Sequence, residues 1–533
     1  MLSLSDESSS RLFQYTLLLS SLPLLAITLN VVRQLIQPRD KSLPPEIFHW
    51  IPFVGSAIEY GNDPIKFFFK CQQKYGDIFT FVLFGRKVTV ALGAKGNDFV
   101  LGGKHANLSA EDAYAHLTTP VFGKDVIHDV PNEIFMQQKK FVKAGLTTES
   151  FRAYVGMIED EVSNFMDRDP SFRTYQAVAP EVDNWGRFDA HKVMAQMTIL
   201  TASRTLQGRE VRSGLDKTFA QLYEDLDGGF KPINFLFPNL PLESYRKRDH
   251  AQQKMTEFYL DIINKRKTGI SPSDDTDMIS VLCNQSYRDG RTLPDHEVAH
   301  LMIALLMAGQ HTSATSGSWV LLRLAANPDV AEALYKEQVQ HFSNDDGTLR
   351  SPIYEELKAL PILDSVIRES LRVHPPIHSV MRYVRANIPV PTALAAPSED
   401  GIYVVPKGHH VLASPAFSQV DPRVWRDSEK WDPSRWMDKD GQAQNALRSS
   451  DEGDTPGKGV SRGTESPYQP FGAGKHRCIG EQFAYLQLGT VISTIVRKIE
   501  MRLPTSFPKN NYHTLITSPS EPRMISYRRR RLA

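Results

Sequence analysis

The chain has 533 residues, of which 41% are hydrophobic and 23% are charged, a composition typical of a globular protein with a large core. The formal net charge of +1 offers nucleic acid no electrostatic attraction, so we expect no nucleic-acid partner. The three cysteines, Cys71, Cys283 and Cys478, are odd in number and far apart, which argues against a disulfide framework and for a reducing compartment.

An apolar run from about residue 12 to residue 32 is the first element of the chain. About 20 such residues span the hydrocarbon core of a bilayer, and the basic residues Arg33, Arg39 and Lys41 follow the run. Because basic flanks stay in the cytosol, we predict a single transmembrane anchor within residues 1–37 and a cytosolic catalytic body over residues 38–533. A cleaved signal peptide is the alternative, but the run is long and no small-residue cleavage site follows it.

The next elements are a hairpin, a helical region and an apolar loop. Apolar residues alternate over residues 78–92 around Gly85, which predicts a β-hairpin. Helical patterns follow between about residues 134 and 206. Residues 227–238 are apolar and rich in turn residues, which predicts a flexible roof over a pocket or an entry region near the membrane; an ordinary packed loop is the alternative.

The longest helical pattern runs from residue 294 to residue 326, where Asn327-Pro328 ends it. Thr292 or Asp295 is its predicted N-cap. The middle of the pattern is apolar on all sides, which predicts a central, buried helix.

Gly309, His311 and Thr312 interrupt the apolar middle of this helix. A glycine and polar side chains inside a buried helix are unfavourable for stability, and such residues are typical of a ligand groove. The alternative is a core histidine with satisfied hydrogen bonds and a threonine bonded to the preceding turn.

A further helix is predicted from about residue 352 to residue 373, and it places Glu369 and Arg372 on one face. Arg435, further along the chain, completes a Glu-Arg-Arg network that would hold a core together if it is buried. A surface ion pair, which contributes almost nothing to stability, is the alternative. The polar, glycine-rich stretch over residues 438–466 predicts an exposed insertion.

The stretch Phe471-Gly-Ala-Gly-Lys-His-Arg-Cys-Ile-Gly480 places Cys478 in a loop of small residues, directly before an apolar helical run. Helix amides and the cationic neighbours of the cysteine favour its thiolate form. A thiolate on a glycine-rich loop is a suitable axial ligand for a haem iron. The alternative is a buried, inert cysteine. No cysteine pair or Cys/His cluster in the sequence indicates zinc.

This loop matches the pattern F-x-x-G-x-(H/R)-x-C-x-G of the cytochrome P450 family, and with the anchor, the long helix and the Glu-Arg-Arg residues the chain resembles that family over nearly its whole length. More narrowly, it resembles the fungal sterol 14α-demethylases. Residues 111–126, EDAYAHLTTPVFGKDV, carry this closer resemblance together with residues 308–313, AGQHTS. In the second segment most cytochromes P450 have an acid before the threonine, whereas the sterol demethylases have a histidine.

By this resemblance, the fold is mainly α with small β-sheets, and haem b lies between the long helix and the cysteine-loop helix. The implied reaction removes the 14α-methyl group of lanosterol-type sterols in ergosterol biosynthesis by three successive oxidations, with release of formate. It consumes molecular oxygen and electrons from NADPH, which an NADPH–cytochrome reductase delivers, and azole inhibitors act on it. The resemblance places the enzyme in the endoplasmic reticulum membrane with its catalytic body in the cytosol.

The resemblance also implies roles for individual residues. Cys478 is the axial ligand of the haem iron, and His311 and Thr312 are the catalytic residues that relay protons. The structural network consists of Glu369, Arg372 and Arg435. The expected contacts of the haem propionates are Tyr114, His128, Lys139, Arg382 and His476. The expected wall of the substrate pocket consists of Tyr114, Phe122, Phe230, Ala308, Ile377 and Ser379.

One position departs from the family's pattern, because the family usually has a tyrosine where this chain has His128. That tyrosine normally helps to hold a haem propionate. We therefore expect the departure to affect the geometry at the edge of the haem and the response to inhibitors. Two other functions stay open: a broad-range microsomal monooxygenase that acts on foreign compounds, and a haem-thiolate isomerase or dehydratase that uses no oxygen. The segments around Tyr114 and His311 argue against the first, and Thr312 argues against the second.

Overall fold

The structure is a computed structural model, and it describes residues 21–173, 185–230, 232–238, 240–270, 277–395, 401–451 and 463–530. Residue contacts divide the chain into two compact units, one of Met1–Ser109 and Val380–Ser414 and the other of Ala110–Ser379 and Pro415–Ala533. Helices predominate in the described residues, and the strands there form four small sheets, which confirms the predicted mainly α class.

The first unit contains a five-stranded sheet. The predicted hairpin is confirmed, because Ile78–Leu83 and Arg86–Ala91 pair antiparallel with Leu83 opposite Arg86. Phe84 and Gly85 connect them with φ of 48° and 74°, the positive values that a tight hairpin turn requires. The other strands of this unit are His410–Ala413, Val380–Val384 and Leu108–Ser109 in the same sheet, and Ile388–Pro389 paired with Val404–Val405; its helices are Ala57–Asn62, Pro64–Tyr75 and Gly93–Leu101.

The predicted anchor lies partly outside the described residues, since description begins at residue 21 and residues 21–36 are helical. In the described part of the chain, no helix combines the length and the apolar content needed to cross a bilayer. The side-chain amides of Asn30 and Gln34 donate to the His49 carbonyl at 2.9 and 2.7 Å. Hydrogen bonds therefore cross the boundary predicted after residue 37.

The second unit is built from helices around the long helix Asp295–Ala326, which packs against Ala190–Ala202 and Glu481–Lys498. Its remaining helices are Glu111–Phe122, Asn132–Gly145, Thr148–Arg168, Arg209–Ser213, Lys217–Asp227, Pro232–Leu236, Glu243–Lys267, Met278–Cys283, Pro328–Phe342, Tyr354–Lys358, Pro361–Val373, Pro415–Gln419 and Gln442–Asp451. Its sheets pair Met524–Arg529 with Gly186–Asp189 and Ile499–Arg502, and Asn510–Asn511 with Ser518–Pro519.

The long helix takes part in two separate apolar clusters of this unit. Residues from Val298 to Met307 belong to one cluster, and residues from Trp319 to Ala325 belong to the other. The segment between them contains His311 and Thr312. His311 and Thr312 therefore lie where the helix leaves one core and has not yet entered the next.

One predicted N-cap and one predicted helix are wrong. Neither Thr292 nor Asp295 caps the long helix, because Pro294 occupies the N-cap position and no side chain bonds to the first turn. The Asp295 carboxylate instead accepts from Lys267 Nζ at 2.6 Å. The helix predicted over residues 352–373 is two helices, Tyr354–Lys358 and Pro361–Val373, because Pro361 has no N–H for a continuing helix and disfavours the helical conformation of the residue before it.

The predicted insertion over residues 438–466 is exposed only in part. Residues 452–462 lie outside the described residues, and Gln442–Asp451 form a helix. This helix buries Ala443 and Ala446 in a small apolar cluster with Trp436 and Tyr468. Ala443 and Ala446 are three residues apart and therefore lie on one helix face, but the mostly polar composition of the stretch did not indicate that this face is buried.

Candidate active site

The cysteine loop is closed by its own backbone. The Cys478 amide donates to the Phe471 carbonyl at 2.9 Å, and Gly472 and Gly474 take positive φ of 68° and 67°, which glycine adopts without strain. The helix Glu481–Lys498 begins just after the loop, with Gly480 at its N-cap. The Cys478 side chain is exposed, although burial is the main influence on its thiol. The sulfur therefore faces a space inside the protein.

The electrostatics of Cys478 differ from the expectation. Burial raises the pKa of the thiol, and the Glu481 carboxylate raises it further, whereas the Gly480 amide and the cations Lys139 and Arg477 lower it. The helix amide and the neighbouring cations favour the thiolate as expected, but the loss of hydration outweighs them, so the pKa of the thiol is raised in the protein alone. A coordinated metal ion removes the thiol proton directly, so the ligand role does not depend on this pKa.

The middle of the long helix opens on one side. Ala308 is exposed and Gly309, His311 and Thr312 are half-buried, whereas the helix is buried from Ser313 to Leu322. A Cβ atom added to Gly309 would meet no heavy atom within 4 Å, so there is open space beside it. Thr312 Oγ1 donates to the Ala308 carbonyl at 2.8 Å, and its oxygen lone pairs remain able to accept a proton or a hydrogen bond.

His311 has an acidic partner that the sequence did not indicate. Its Nε2 lies 3.0 Å from Oδ1 of Asp227, whose side chain is 47% exposed. The Tyr223 ring stacks on the imidazole at 5.2 Å, and the Tyr223 hydroxyl donates to Gln310 Oε1 at 2.7 Å. The pair of His311 and Asp227 joins the long helix to the helix Lys217–Asp227. Asp227 is the last residue of that helix and the first residue of the predicted roof segment. In the sequence, Asp227 follows Tyr223 by about one helical turn, and this spacing places both residues on one helix face. The spacing does not reveal that the face packs against His311.

A row of rings extends from the helix Glu111–Phe122 to the cysteine loop. Tyr114 and His128 lie 5.5 Å apart, His128 and Phe135 5.9 Å, and Phe135 and His476 5.6 Å. His128 Nδ1 is 3.3 Å from the hydroxyl of Thr118. The structure thus brings three of the five predicted propionate contacts into one row, with Phe135 as a member that the sequence did not indicate.

The other two predicted propionate contacts have different surroundings. Lys139 Nζ donates to the carbonyls of Lys475 and Arg477 in the cysteine loop, each at 2.9 Å. Two of its three N–H donors therefore hold the loop backbone. Arg382 lies buried in the strand Val380–Val384 of the first unit, where its Nη1 donates to the carbonyl of Met381 at 2.8 Å.

The residues predicted to line the substrate pocket all belong to the second unit. Phe122 and Phe230 pack with their ring centroids 5.6 Å apart. Ile377 is 47% exposed, and the Ser379 hydroxyl lies 2.8 Å from His378 Nδ1. An exposed isoleucine and the exposed Ala308 are positions that an apolar ligand would cover.

Glu369, Arg372 and Arg435 form a fully connected network. Arg372 donates to both oxygens of Glu369 at 2.9 and 2.8 Å, and both side chains have no exposed surface. Arg435 Nε donates to Glu369 Oε1 at 2.9 Å, and Trp436 Nε1 donates to Oε2 at 2.9 Å. The remaining Arg372 donors bond the backbone carbonyls of Gln419, Ser428 and Lys430. Both arginines bond the one Glu369 carboxylate and backbone carbonyls as well, so the network holds together segments that are more than 40 residues apart in sequence.

These residues fit a haem group. An accessible thiol faces an internal space, and the exposed Ala308 with the open side of Gly309 lies on the central helix. A row of histidine and tyrosine rings ends at the cysteine loop, and such side chains supply the hydrogen-bond donors that propionates require. A thiolate is one of the ligands that proteins use for haem iron.

Comparison with known proteins identifies the family. Residues 44–527 match the family model described as Cytochrome P450. The lanosterol 14-alpha demethylase of Mycosarcoma maydis is 52% identical over 94% of this chain and 90% of the relative. The lanosterol 14-alpha demethylase erg11 of Schizosaccharomyces pombe is 46% identical over 94% of this chain and 96% of the relative.

A solved structure, the retinoic acid bound cyanobacterial CYP120A1, shares the fold with a TM-score of 0.72 at 21% identity, over 92% of this chain and 99% of that chain. The predicted P450 fold is therefore confirmed. With the family match over most of the chain and the two relatives above 45% identity, the chain belongs to the cytochrome P450 family, in the group of the fungal sterol 14-alpha demethylases.

Proposed function

We propose that the chain removes the 14α-methyl group of a lanosterol-type sterol by three successive oxidations and releases the methyl carbon as formate. The exposed Cys478 thiol in its closed loop is the observation that carries the proposal, because it offers the axial ligand that this chemistry requires. The high identity to lanosterol 14-alpha demethylases over most of the chain supports the substrate class.

The haem supplies activation of molecular oxygen when it is bound. Cys478 would hold its iron, and Glu369, Arg372 and Arg435 would keep the segments near the cysteine loop in place. The residues that would hold its propionates are Tyr114, His128, Lys139, Arg382 and His476. Lys139 also holds the loop backbone through the carbonyls of Lys475 and Arg477, so its contribution to the haem is smaller than its contribution to the loop.

Proton supply would run through Asp227, His311 and Thr312. Asp227 is half-exposed and can exchange protons with water, and His311 Nε2 lies within hydrogen-bond distance of its carboxylate. An imidazole can accept a proton on one ring nitrogen and release one from the other, which suits a residue that receives and passes protons. Thr312 would then position a proton at the open side of the helix with the oxygen that its bond to Ala308 leaves available.

The sterol would bind against Phe122, Phe230, Ile377 and Ser379, with Tyr114 and Ala308 at its side. Electrons would come from NADPH through a membrane-bound NADPH–cytochrome reductase. The anchor predicted within residues 1–37 would place the protein in the endoplasmic reticulum membrane, with the catalytic body in the cytosol. Azole inhibitors, which bring a nitrogen ligand into such a pocket, would bind there.

The decisive experiment supplies the purified holoenzyme with a reductase, NADPH and lanosterol in vesicles and identifies the products by mass spectrometry. We expect a 14-desmethyl sterol with a 14,15 double bond and one formate per sterol. Sterol that stays unchanged while a panel of foreign compounds is oxidised would favour the broad-range monooxygenase. Sterol conversion that continues without NADPH would favour the isomerase. A 14-desmethyl sterol added as substrate is the matched control and should not be oxidised.

A further inference from the structure

The turn that follows the helix Glu111–Phe122 contains two residues in a backbone conformation that their side chains disfavour. Asp125 and Ile127 take positive φ of 64° and 56°. Glycine adopts such values freely and aspartate does so occasionally, whereas a β-branched residue such as isoleucine is an outlier there. Strained backbone persists only where the surrounding structure holds it, and it is concentrated at functional sites. The turn therefore needs a partner that keeps it in this shape.

Gln138 is such a partner, because its side-chain amide bonds the backbone of both strained residues. Its Nε2 donates to the Asp125 carbonyl at 2.8 Å, and its Oε1 accepts from the Ile127 amide at 3.0 Å. A carbonyl only accepts and a backbone N–H only donates, so the side-chain amide has one possible orientation. Gln138 is 1% exposed, so water competes little for either bond. The two bonds fix the peptide groups on either side of Val126.

A chain of buried side chains ties Gln138 to the long helix. The same Nε2 also donates to the Tyr287 hydroxyl at 3.0 Å. The Tyr287 hydroxyl donates in turn to the carboxylate of Glu297, in the first turn of the helix Asp295–Ala326. All three side chains are buried. Breaking a bond between buried groups leaves a donor or an acceptor unsatisfied, so the orientation of the Gln138 amide is tied to the long helix.

The turn connects two parts of the candidate site. Phe122 of the predicted substrate pocket comes three residues before Asp125. His128 directly follows Ile127 and stands in the row of rings. The backbone angles φ and ψ set the path of the chain, so a changed φ redirects every residue beyond it. A change of φ at either strained residue would therefore move the His128 ring relative to Phe122.

We propose that Gln138 is a positioning residue, which holds the turn over residues 125–127 in its strained shape and thereby keeps His128 at the edge of the haem. The proposal rests on the proposed function only in requiring that the chain binds haem. Glutamine suits this role because its amide carries both a donor and an acceptor, and the turn offers one carbonyl and one N–H to them.

The test uses Gln138→Met, which keeps the length of the side chain and removes its hydrogen bonds, alone and combined with Ile127→Gly. Haem loss from the holoenzyme is measured as transfer of haem to excess apomyoglobin. We expect Gln138→Met to accelerate haem loss about tenfold, because bonds between buried groups are lost. Adding Ile127→Gly should then slow haem loss by at least about threefold, since glycine takes a positive φ without strain.

In the otherwise unchanged protein, Ile127→Gly should not slow haem loss. Gln138 already holds the turn there, and the substitution removes the packing of the isoleucine side chain against the apolar cluster around it. The effect of the glycine therefore changes sign between the two backgrounds. A residue that only supports general stability would not produce this reversal, because the loss of packing would then slow nothing in either background.

Trypsin cleavage after Lys124 is a second measurement, which does not use haem as its signal. Lys124 is exposed and lies in the turn, so a turn that is no longer held should become a site of cleavage. We expect Gln138→Met to raise cleavage there about tenfold relative to cleavage after Lys104, another exposed lysine. Gln137→Met removes an amide that bonds Arg288 instead, so it is the matched control and should change neither quantity.

The proposal would be overturned if Gln138→Met left haem loss unchanged, if Ile127→Gly failed to slow haem loss in that background, or if cleavage rose equally after both lysines. Gln138→Ala and Ile127→Asn are measured if the first variants do not accumulate as holoenzyme, since asparagine also tolerates a positive φ. Failure of sterol demethylation together with the expected rescue by glycine would refute the proposed function and leave this proposal standing. A chain that binds no haem at all would refute both.

Discussion

At the scale of single residues, the three cysteines differ in how accessible their side chains are. Burial raises the pKa of Cys71 to about 12 and also raises the pKa of Cys283, and neither side chain is exposed. The pKa of Cys478 is raised as well, but its sulfur is accessible. Access to a space where iron can sit, and not acidity in the free protein, separates the candidate ligand from the two inert thiols.

We therefore predict that Cys478→Ala abolishes the red-shifted Soret band that the reduced protein shows with carbon monoxide when a thiolate is bound. Cys71→Ala and Cys283→Ala are the controls and should leave the spectrum unchanged, since neither thiol is exposed. Retention of the thiolate-type spectrum in Cys478→Ala would contradict the assignment of the axial ligand.

His128 is the residue that departs from the family, and its position in the row of rings gives the departure a consequence. It lies between Tyr114 and Phe135 and shares a hydrogen bond with Thr118. A tyrosine hydroxyl extends further from the backbone than either imidazole nitrogen. We predict that His128→Tyr slows haem loss and tightens azole binding, with a gain of at most about 1–3 kcal/mol for a bond to a charged propionate.

A spectral titration of both proteins with one azole measures this prediction, and haem transfer to apomyoglobin measures it independently. His128→Phe is the matched control, because it adds the larger ring without the hydroxyl. Identical azole dissociation constants and haem-loss rates for His128 and His128→Tyr would mean that the histidine is a neutral replacement.

At the scale of elements, the long helix combines a structural and a chemical role. Its two ends lie in separate apolar clusters, so packing at both ends holds the middle segment, which itself opens on one side. The side-chain pair of His311 and Asp227 ties this segment to the helix Lys217–Asp227. The helix is thus a rigid support for residues that face the substrate side.

We predict that Thr312→Ala and His311→Ala lower turnover and raise the amount of peroxide formed per NADPH consumed. Proton delivery is impaired in both, while the apolar contacts of the pocket remain. Asp227→Asn should resemble His311→Ala, because the carboxylate that exchanges protons with water is lost. The measurement is the ratio of product to NADPH in the reconstituted system.

Ser313→Ala is the matched control for these variants, because it removes a buried hydroxyl next to Thr312. The ratio of sterol product to NADPH consumed should be the same for Ser313→Ala as for the unchanged enzyme. Weaker sterol binding with an unchanged ratio in Thr312→Ala and His311→Ala would assign these residues to substrate binding instead of proton delivery.

At the scale of the whole molecule, buried histidines make stability depend on pH. Burial, together with a smaller effect of the Arg523 cation, lowers the pKa of His191 from 6.5 to about 4. The unfolded chain takes up this proton near pH 6.5, whereas the folded protein resists it until about pH 4. Neutral His191 therefore contributes stability above pH 6.5, and this contribution is lost as the pH falls toward 4.

We predict that His191→Gln has a shallower loss of stability between pH 6.5 and pH 4.5 than the unchanged protein. The amide still reaches the Ser318 hydroxyl, which lies 3.3 Å from the histidine, but it has no proton to bind. The difference should be at most about 2–3 kcal/mol. Urea denaturation of the holoenzyme at both pH values measures it. Parallel curves for the two proteins would show that His191 is not protonated on unfolding in this range.

The local sequence alone determined the features that depend on neighbouring residues. The hairpin follows from alternating apolar residues around Gly85, and the limits of the long helix follow from its apolar run and Asn327-Pro328. The pairing of Glu369 with Arg372 follows from their spacing on one helix face. The cysteine loop could be found for the same reason, since its glycines and Cys478 are adjacent in sequence.

Only the tertiary structure decided which distant side chains meet. It brings Asp227 to His311 and Asn132 to His476. It also brings Lys139, which the sequence assigned only to a haem propionate, to the carbonyls of the cysteine loop. Each of these contacts joins elements separated by more than 80 residues, and their approach depends on how whole helices pack. The direction of the Cys478 pKa depends on burial in the same way, because desolvation is a property of everything that surrounds the thiol and of no single neighbour.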